Sequence, residues 1–222
     1  MFNFFTRIFL HLIMEFFDFH HHDFNKKNGI YNLKLNEIPP ANYFSAGIHP
    51  QHISDRFEED FLWLKTIVKL ENCVAIGECG LDGLVEIDEN LQHEIFQKQI
   101  ELANEIRKPI IIHCVKRFSQ LIHFKKKSKV PMIVHGFNKR KTIGDEMLKN
   151  EFCLSFGKSA LYNVNLQDFL EEIPIDQLFL ETDSADFGIK DLYYKIAELK
   201  SCRIEDFQQK IKENLKNLQI SI

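Results

Sequence analysis

The stretch PIIIH, residues 109–113, sets the fold class of this 222-residue chain. An apolar run with three β-branched residues ends in one polar side chain. Continuous apolar runs of this length are typical of parallel strands that are covered on both faces. PMIVH at 131–135 and LFLE at 178–181 have the same pattern, so we expect a parallel sheet with helices around it.

Short runs of this kind recur along the chain and alternate with amphipathic stretches. The runs are residues 16–20, 30–35, 43–48, 73–77, 109–113, 132–135, 152–156 and 178–181. Between them, EEDFLWLKTIVKL (58–70) and LQHEIFQKQIELANEI (91–106) place apolar residues at helical spacing. The pattern predicts an α/β fold, a TIM-like (β/α)8 barrel, as one domain over residues 14–222. Residues 26–42 leave no room for a normal helix, so we expect the barrel to be irregular or incomplete around its first two β/α units.

Composition narrows the class of protein. The chain is 45% hydrophobic and contains 21 Phe, which is enough for a full core and argues against disorder. A net charge of −4 argues against broad electrostatic binding to nucleic acid, although a local basic face is compatible with it. The five cysteines form no Cys-x-x-Cys pair, which indicates reduced thiols in a cytoplasmic protein.

The first 13 residues, MFNFFTRIFLHLI, are apolar but lack a small-residue cleavage site and are too short to span a bilayer. We interpret them as an upstream start or an extension in preference to a signal peptide. We expect no membrane segment, and the monomer is the favoured state.

Side chains that can bind a metal stand at the ends of nearly all the apolar runs. They are His20, His22, His49, Glu78, His113, His135 and Asp183. In a barrel the carboxyl ends of the strands meet at one face, where catalytic groups gather. We therefore expect these residues to form one site.

FFDFHHHDF, residues 16–24, contains two of these candidates. Alternate residues of a strand share a face, so His20 and His22 point together while His21 points away. Two such imidazoles can bind one divalent ion at ~2.0–2.1 Å. In isolation the tripeptide would more often be a polar strand end, but the other candidates favour the metal-ligand interpretation.

The motifs resemble those of the TatD family of metal-dependent hydrolases, and the resemblance covers nearly the whole chain from residue 16. The motifs, in order, are DFHHH (18–22), GIHP (47–50), AIGECGLD (75–82), PIIIHC (109–114), IVHGF (133–137) and LFLETDS (178–184). The resemblance implies two divalent metal ions per subunit, with Zn, Mn or Mg as candidates. It implies that His20, His22, Glu78 and Asp183 hold one ion and that Glu78 bridges to a second ion held by His113 and His135.

The same resemblance implies a deoxyribonuclease, with DNA or another phosphodiester as its substrate. Asp183 is the expected proton acceptor for an attacking water, and Glu78 is expected to keep the ions spaced. His49, Lys116 and Lys139 are candidate substrate contacts, and Asp82 resembles a position that supports the site.

Several interpretations remain open beside the deoxyribonuclease. One is a hydrolase of a small-molecule ester or C–N bond, and another is a non-catalytic metal-binding interaction protein.

The basic cluster KKKSK (125–129) precedes a strand and is expected at the opposite end of the barrel. Phe118 and Phe137 are more simply core residues than base-stacking ones.

Overall fold

The computed structural model describes residues 16–220, and the expectation for residues 1–13 lies outside this range. Eight strands form one parallel sheet in which each strand pairs with the next in the chain. They are β1 (Asp18–His21), β2 (Gly29–Leu33), β3 (Phe44–Ala46), β4 (Cys73–Asp82), β5 (Ile110–Val115), β6 (Met132–Val134), β7 (Cys153–Phe156) and β8 (Leu178–Leu180). Each coincides with a predicted run, so the predicted barrel is confirmed.

The sheet closes into a barrel where the first strand meets the chain that follows the last strand. We call this junction, made by residues 18–22 and 181–183, the barrel seam. His21 and Asp183 form a parallel bridge there. The Asp183 N–H donates to the His20 carbonyl at 2.9 Å, and the His22 N–H donates to the Asp183 carbonyl at 3.3 Å. The seam therefore places the first motif of the sequence, DFHHH (18–22), beside the last motif, LFLETDS (178–184).

Helices cover the outer face of the sheet from β3 onward. Among residues 16–220 they are α1 (Phe57–Ile67), α2 (Glu89–Ile106), α3 (Phe118–Lys125), α4 (Lys141–Lys149), α5 (Val164–Glu172), α6 (Ile189–Leu199) and α7 (Ile204–Asn217). The connections 22–28 and 34–43, before and after β2, contain no helix. A helical crossover between parallel strands needs a dozen or more residues, and these connections are shorter. The expected irregularity on the early side of the barrel is thus confirmed.

The strands are buried because both of their faces are covered. Ile110, Ile111 and Ile112 of β5 are fully buried, and burying each such side chain contributes about 1.5–3 kcal/mol. The helix α2 packs on β4 through an apolar face that includes Ile95 and Phe96. The Asp88 side chain begins this helix by accepting a hydrogen bond from the Leu91 N–H at 3.1 Å.

The strand β4 continues five residues past the predicted run, which ended at Gly77. It does so because glycine allows a close approach to β5. At Gly80, where φ is +145°, a Cβ atom would lie only 2.1 Å from the His113 carbonyl oxygen. The extension carries Glu78 and Asp82 along the rim of the barrel.

The expectations for the basic cluster KKKSK and for two phenylalanines are confirmed. KKKSK precedes β6 and therefore lies at the amino ends of the strands. Phe118 and Phe137 are buried in the core. All five cysteines lie within the described residues and are free thiols. Between residues 16 and 220, no helix has the length and apolar character needed to cross a membrane.

Candidate metal centre

The Glu78 carboxylate lies at the centre of a group of imidazoles. Its Oε1 atom is 2.8 Å from His135 Nε2 and 2.9 Å from His113 Nδ1. His49 Nε2 lies 3.5 Å from the same oxygen. These histidines come from the ends of three different strands, so the barrel rather than the local sequence brings them together.

The second oxygen of Glu78 faces a different pair of histidines. Its Oε2 atom lies 3.6 Å from His20 Nε2 and 4.0 Å from His22 Nε2. The Asp183 carboxylate completes this side, with Oδ1 at 3.2 Å from His22 Nε2 and 3.9 Å from His20 Nε2. All seven residues that the sequence placed at strand ends therefore meet at one face.

The donor atoms suit a divalent cation. Three overlapping sets of three residues each offer ligand atoms within 4.8 Å of one another. The sets are His20, His22 and Glu78; His20, His135 and Asp183; and His49, Glu78 and His113. Both ring nitrogens of the buried His20 lack a hydrogen-bond partner among the described residues. An unpartnered buried polar atom is costly, and a cation at this point would give it a partner. The residues therefore fit a metal ion.

Charges at the site stabilise one another despite burial. Burial opposes ionisation of Glu78, but His135 and His113 lower the pKa of its carboxyl well below the usual value. Burial likewise opposes protonation of His135, yet Glu78 and Glu181 raise the pKa of His135 well above the usual value. For Asp183, His22 and His20 outweigh burial and lower the carboxyl pKa. The carboxylates are thus ionised at neutral pH and ready to bind a cation.

Two further carboxylates orient the histidines from behind. Asp82 Oδ2 lies 3.0 Å from His113 Nε2, which turns His113 Nδ1 toward Glu78. Glu181 Oε1 lies 3.4 Å from His135 Nδ1 and also accepts a hydrogen bond from the Gly136 N–H at 2.6 Å. The hydrogen bond with Asp82 fixes which ring nitrogen of His113 faces a metal, and the Glu181 carboxylate adds a negative charge beside His135. The resemblance suggested the role of Asp82, whereas sequence reasoning missed Glu181.

Asn32 of β2 is a second residue that sequence reasoning missed. Its amide Nδ2 donates to Glu78 Oε2 at 3.1 Å, and its Oδ1 accepts from the Glu78 N–H at 3.1 Å. One side chain therefore holds both the backbone and the carboxylate of Glu78. The only signal in the sequence is that Asn32 is, with Lys34, one of two polar residues in the run 30–35.

Replacing Asn32 with alanine is expected to weaken divalent-metal binding about 10- to 100-fold, because the Glu78 carboxylate loses its orienting partner. Calorimetric titration of the metal-free protein with Mn²⁺ measures this change. Asn165→Ala, at an exposed position on α5, is the matched control and should bind like the parent. Equal Mn²⁺ affinity in Asn32→Ala and the parent would exclude an orienting role for Asn32.

The remaining sequence candidates lie around the same rim. Lys116 is exposed directly after β5, and Lys139 is half-buried in the loop after β6. His21 points away from the cluster, as expected, and its ring lies 6.0 Å from that of Tyr31. Burial, followed by the charge of Lys26, lowers the pKa of His21 to about 3, so it is neutral.

A parallel barrel that gathers imidazoles and carboxylates at the carboxyl ends of its strands is the arrangement of a class, the metal-dependent hydrolases. Within that class, the family model described as TatD related DNase matches residues 19–219, and the chain belongs to this family.

Individual relatives agree with this assignment. The chain is 32% identical over 195 residues to the uncharacterized metal-dependent hydrolase YabD of Bacillus subtilis, which covers 79% of this chain and 76% of YabD. It is 32% identical over 165 residues to the 3'-5' ssDNA/RNA exonuclease TatD of Pantoea vagans, covering 68% of this chain and 61% of that relative. The chain thus spans less than two thirds of the Pantoea protein.

Solved structures share the fold. The TatD homolog YJJV from Escherichia coli K12 superposes with a TM-score of 0.74 at 19% identity, over 93% of this chain and 98% of YJJV. A TatD family hydrolase from Entamoeba histolytica also gives 0.74, at 17% identity, over 92% of this chain and 97% of that structure.

Proposed function

We propose that this protein hydrolyses phosphodiester bonds in DNA with the help of two divalent cations at the Glu78 cluster. The observation that carries the proposal is the position of Glu78, whose Oε1 faces His135 and His113 while its Oε2 faces His20. A carboxylate placed in this way can bridge two cations. The name of the Pantoea relative, an exonuclease on single-stranded DNA and RNA, supports a phosphodiester substrate.

We assign the ligands according to the oxygen of Glu78 that they face. His20, His22 and Asp183 would hold one cation together with Oε2. His113 and His135 would hold the other together with Oε1, and His49 lies within reach of the same oxygen. Imidazole ligands favour Zn or Mn over Mg, which prefers oxygen ligands.

When bound, the cations supply a Lewis acid for the phosphoryl group and lower the pKa of water toward ~7. The chain supplies the proton acceptor, because the Asp183 carboxylate is ionised and its side chain is 39% exposed at the mouth. Asp183 accepts the proton of the attacking water and can return it to the leaving oxygen. Asp82 and Glu181 hold the rings of His113 and His135 in place. Lys116 and Lys139 are the proposed contacts to backbone phosphates.

Activity is expected to fall as the pH falls through the histidine range, with the midpoint dependent on metal concentration. His135 has a raised pKa and must lose its proton before it can bind a cation. Metal and proton therefore compete, and a tenfold increase in Mn²⁺ should move the acid midpoint down by about one pH unit if one proton is displaced. Rate profiles from pH 5 to 9 at several Mn²⁺ concentrations measure this shift. A midpoint that stayed fixed at all concentrations would contradict competition at His135.

The most direct test combines metal analysis of the purified protein with a nuclease assay in the presence and absence of a chelator. The substrate panel contains single-stranded DNA, RNA, a model phosphodiester and a model amide. We expect metal-dependent cleavage of the phosphodiesters and of DNA. Cleavage of the amide alone would replace this proposal with hydrolysis of a C–N bond.

A further inference from the structure

Three side chains make a closed polar contact on the barrel seam, next to the metal centre but outside its proposed ligands. The N–H and Oγ1 of Thr182 donate to the two carboxylate oxygens of Asp18, at 2.9 and 2.6 Å. Lys26 Nζ donates to Asp18 Oδ2 at 2.6 Å and to Thr182 Oγ1 at 3.0 Å. Each member of the triangle therefore contacts the other two.

The triangle joins the two parts of the chain that close the barrel. Asp18 begins β1 two residues before His20, and Thr182 directly precedes Asp183. Other contacts also join these two parts of the chain. They are the two backbone hydrogen bonds of Asp183 described above, the contacts of its carboxylate with His20 and His22, and the stacking of Phe19 on Phe179. The triangle thus adds a side-chain connection between the strand that carries two histidine ligands and the segment that carries the proton acceptor.

The backbone of Asp183 needs such support. Its φ angle is +52°, a left-handed conformation that non-glycine residues adopt infrequently. Conformations of this kind persist when the surrounding structure holds them in place. Thr182 is anchored at both its backbone and its hydroxyl, which leaves little freedom to the residue that follows it.

Burial of a charge at this place also points to a specific role. Asp18 is fully buried, and a buried carboxylate is costly unless it is hydrogen-bonded and paired. Thr182 supplies the hydrogen bonds, and Lys26, whose side chain is 28% exposed, supplies the opposite charge from the loop after β1. An apolar contact could slide along the seam, whereas these directed bonds fix its register. A slip of one residue would turn side chains to the opposite face.

We propose that Asp18, Lys26 and Thr182 are positioning residues that fix the register of the barrel seam and thereby hold the Asp183 carboxylate against His20 and His22. The inference rests on the proposed function of this cluster as a metal centre. The three residues act through Asp183 and bind neither metal nor substrate themselves. Their removal should therefore weaken metal binding only while the Asp183 carboxylate is present.

The test uses Lys26→Met and Thr182→Val in the full-length protein, each also combined with Asp183→Asn. Metal-free proteins are titrated with Mn²⁺ by calorimetry, and thermal unfolding is followed separately. We expect Lys26→Met and Thr182→Val each to bind Mn²⁺ about tenfold more weakly than the parent. Combined with Asp183→Asn, each should bind Mn²⁺ as Asp183→Asn alone does. Thr182→Ser keeps the hydroxyl and should restore parental affinity. Lys27→Met, at the exposed neighbouring position, is the control for loss of a surface charge.

Two results would overturn the inference. One is parental Mn²⁺ affinity in folded Lys26→Met. If KM alone rises in that variant, Lys26 is a substrate contact and not a positioning residue. The other is an equal additional loss in the Asp183→Asn background, which would mean that the triangle stabilises the barrel without acting on Asp183. Lys26 is partly exposed, so we expect Lys26→Met to fold. The test can then be completed with this variant even if Thr182→Val does not fold. Tight Mn²⁺ binding by a parent protein that cleaves no phosphodiester would reject the nuclease proposal and leave this comparison valid.

Discussion

Glu78→Gln should lose divalent-metal binding and reduce hydrolysis by about a thousandfold or more. Removing a residue that only orients a ligand typically costs about 10- to 100-fold, and Glu78 is proposed to bind both cations directly. Glutamine keeps the size of the side chain but replaces one carboxylate oxygen with an N–H group. In the parent, Oε1 faces His135 and His113 while Oε2 faces His20. An amide can present an acceptor to only one of these two groups.

Metal content after dialysis and Mn²⁺ calorimetry measure the effect of Glu78→Gln, with circular dichroism as the check on folding. Glu86→Gln, at an exposed position in the loop after β4, is the matched control and should match the parent. NMR titration of the metal-free proteins gives a second readout. Glu78 is the main group that raises the pKa of His135, so the variant should show a lower pKa for His135. A variant that retained two tightly bound ions would exclude Glu78 as a bridging ligand.

The barrel and the location of the site could be predicted because the signals are local. An apolar run such as PIIIH identifies a covered parallel strand, and the residue that ends the run lies at the carboxyl end of that strand. In a parallel barrel all carboxyl ends share one face. The position of His113 at the end of its run therefore predicts that it lies near His135 and Asp183. The structure brings these side chains to the same rim, while their roles as ligands remain a proposal.

The residues that support the site could not be predicted because their roles depend on register between strands. In the sequence, Asn32 is a polar residue within a predicted strand. Only the placement of β2 near β4 brings it to Glu78. The carboxylate of Glu181 resembles one more polar strand end, although it is fully buried and contacts His135. Asp18 precedes Thr182 by 164 positions, and their contact exists only because the barrel closes. No pattern along the chain encodes such distances.

Asp183→Asn is expected to fold normally and to lower kcat by about 10²- to 10⁴-fold, the range that a general base contributes. Asparagine suits the backbone here, because it tolerates the left-handed φ of +52° better than most other residues. Its neutral amide is a weaker metal ligand than the carboxylate, and it cannot accept the proton of a water. The loss should therefore appear mainly in kcat, with a smaller change in KM.

Asp186→Asn, at an exposed position three residues further on, is the matched control for Asp183→Asn and should keep the parental rate. The pH profile separates the two groups that affect the rate. His22 and His20 keep the pKa of Asp183 below its usual value despite burial, so the acid side of the profile belongs to the histidines. In Asp183→Asn the residual rate should continue to rise with pH, since hydroxide from solution replaces the missing proton acceptor. A loss of less than tenfold with metal still bound would show that Asp183 only binds the cation, and another group would then have to accept the proton.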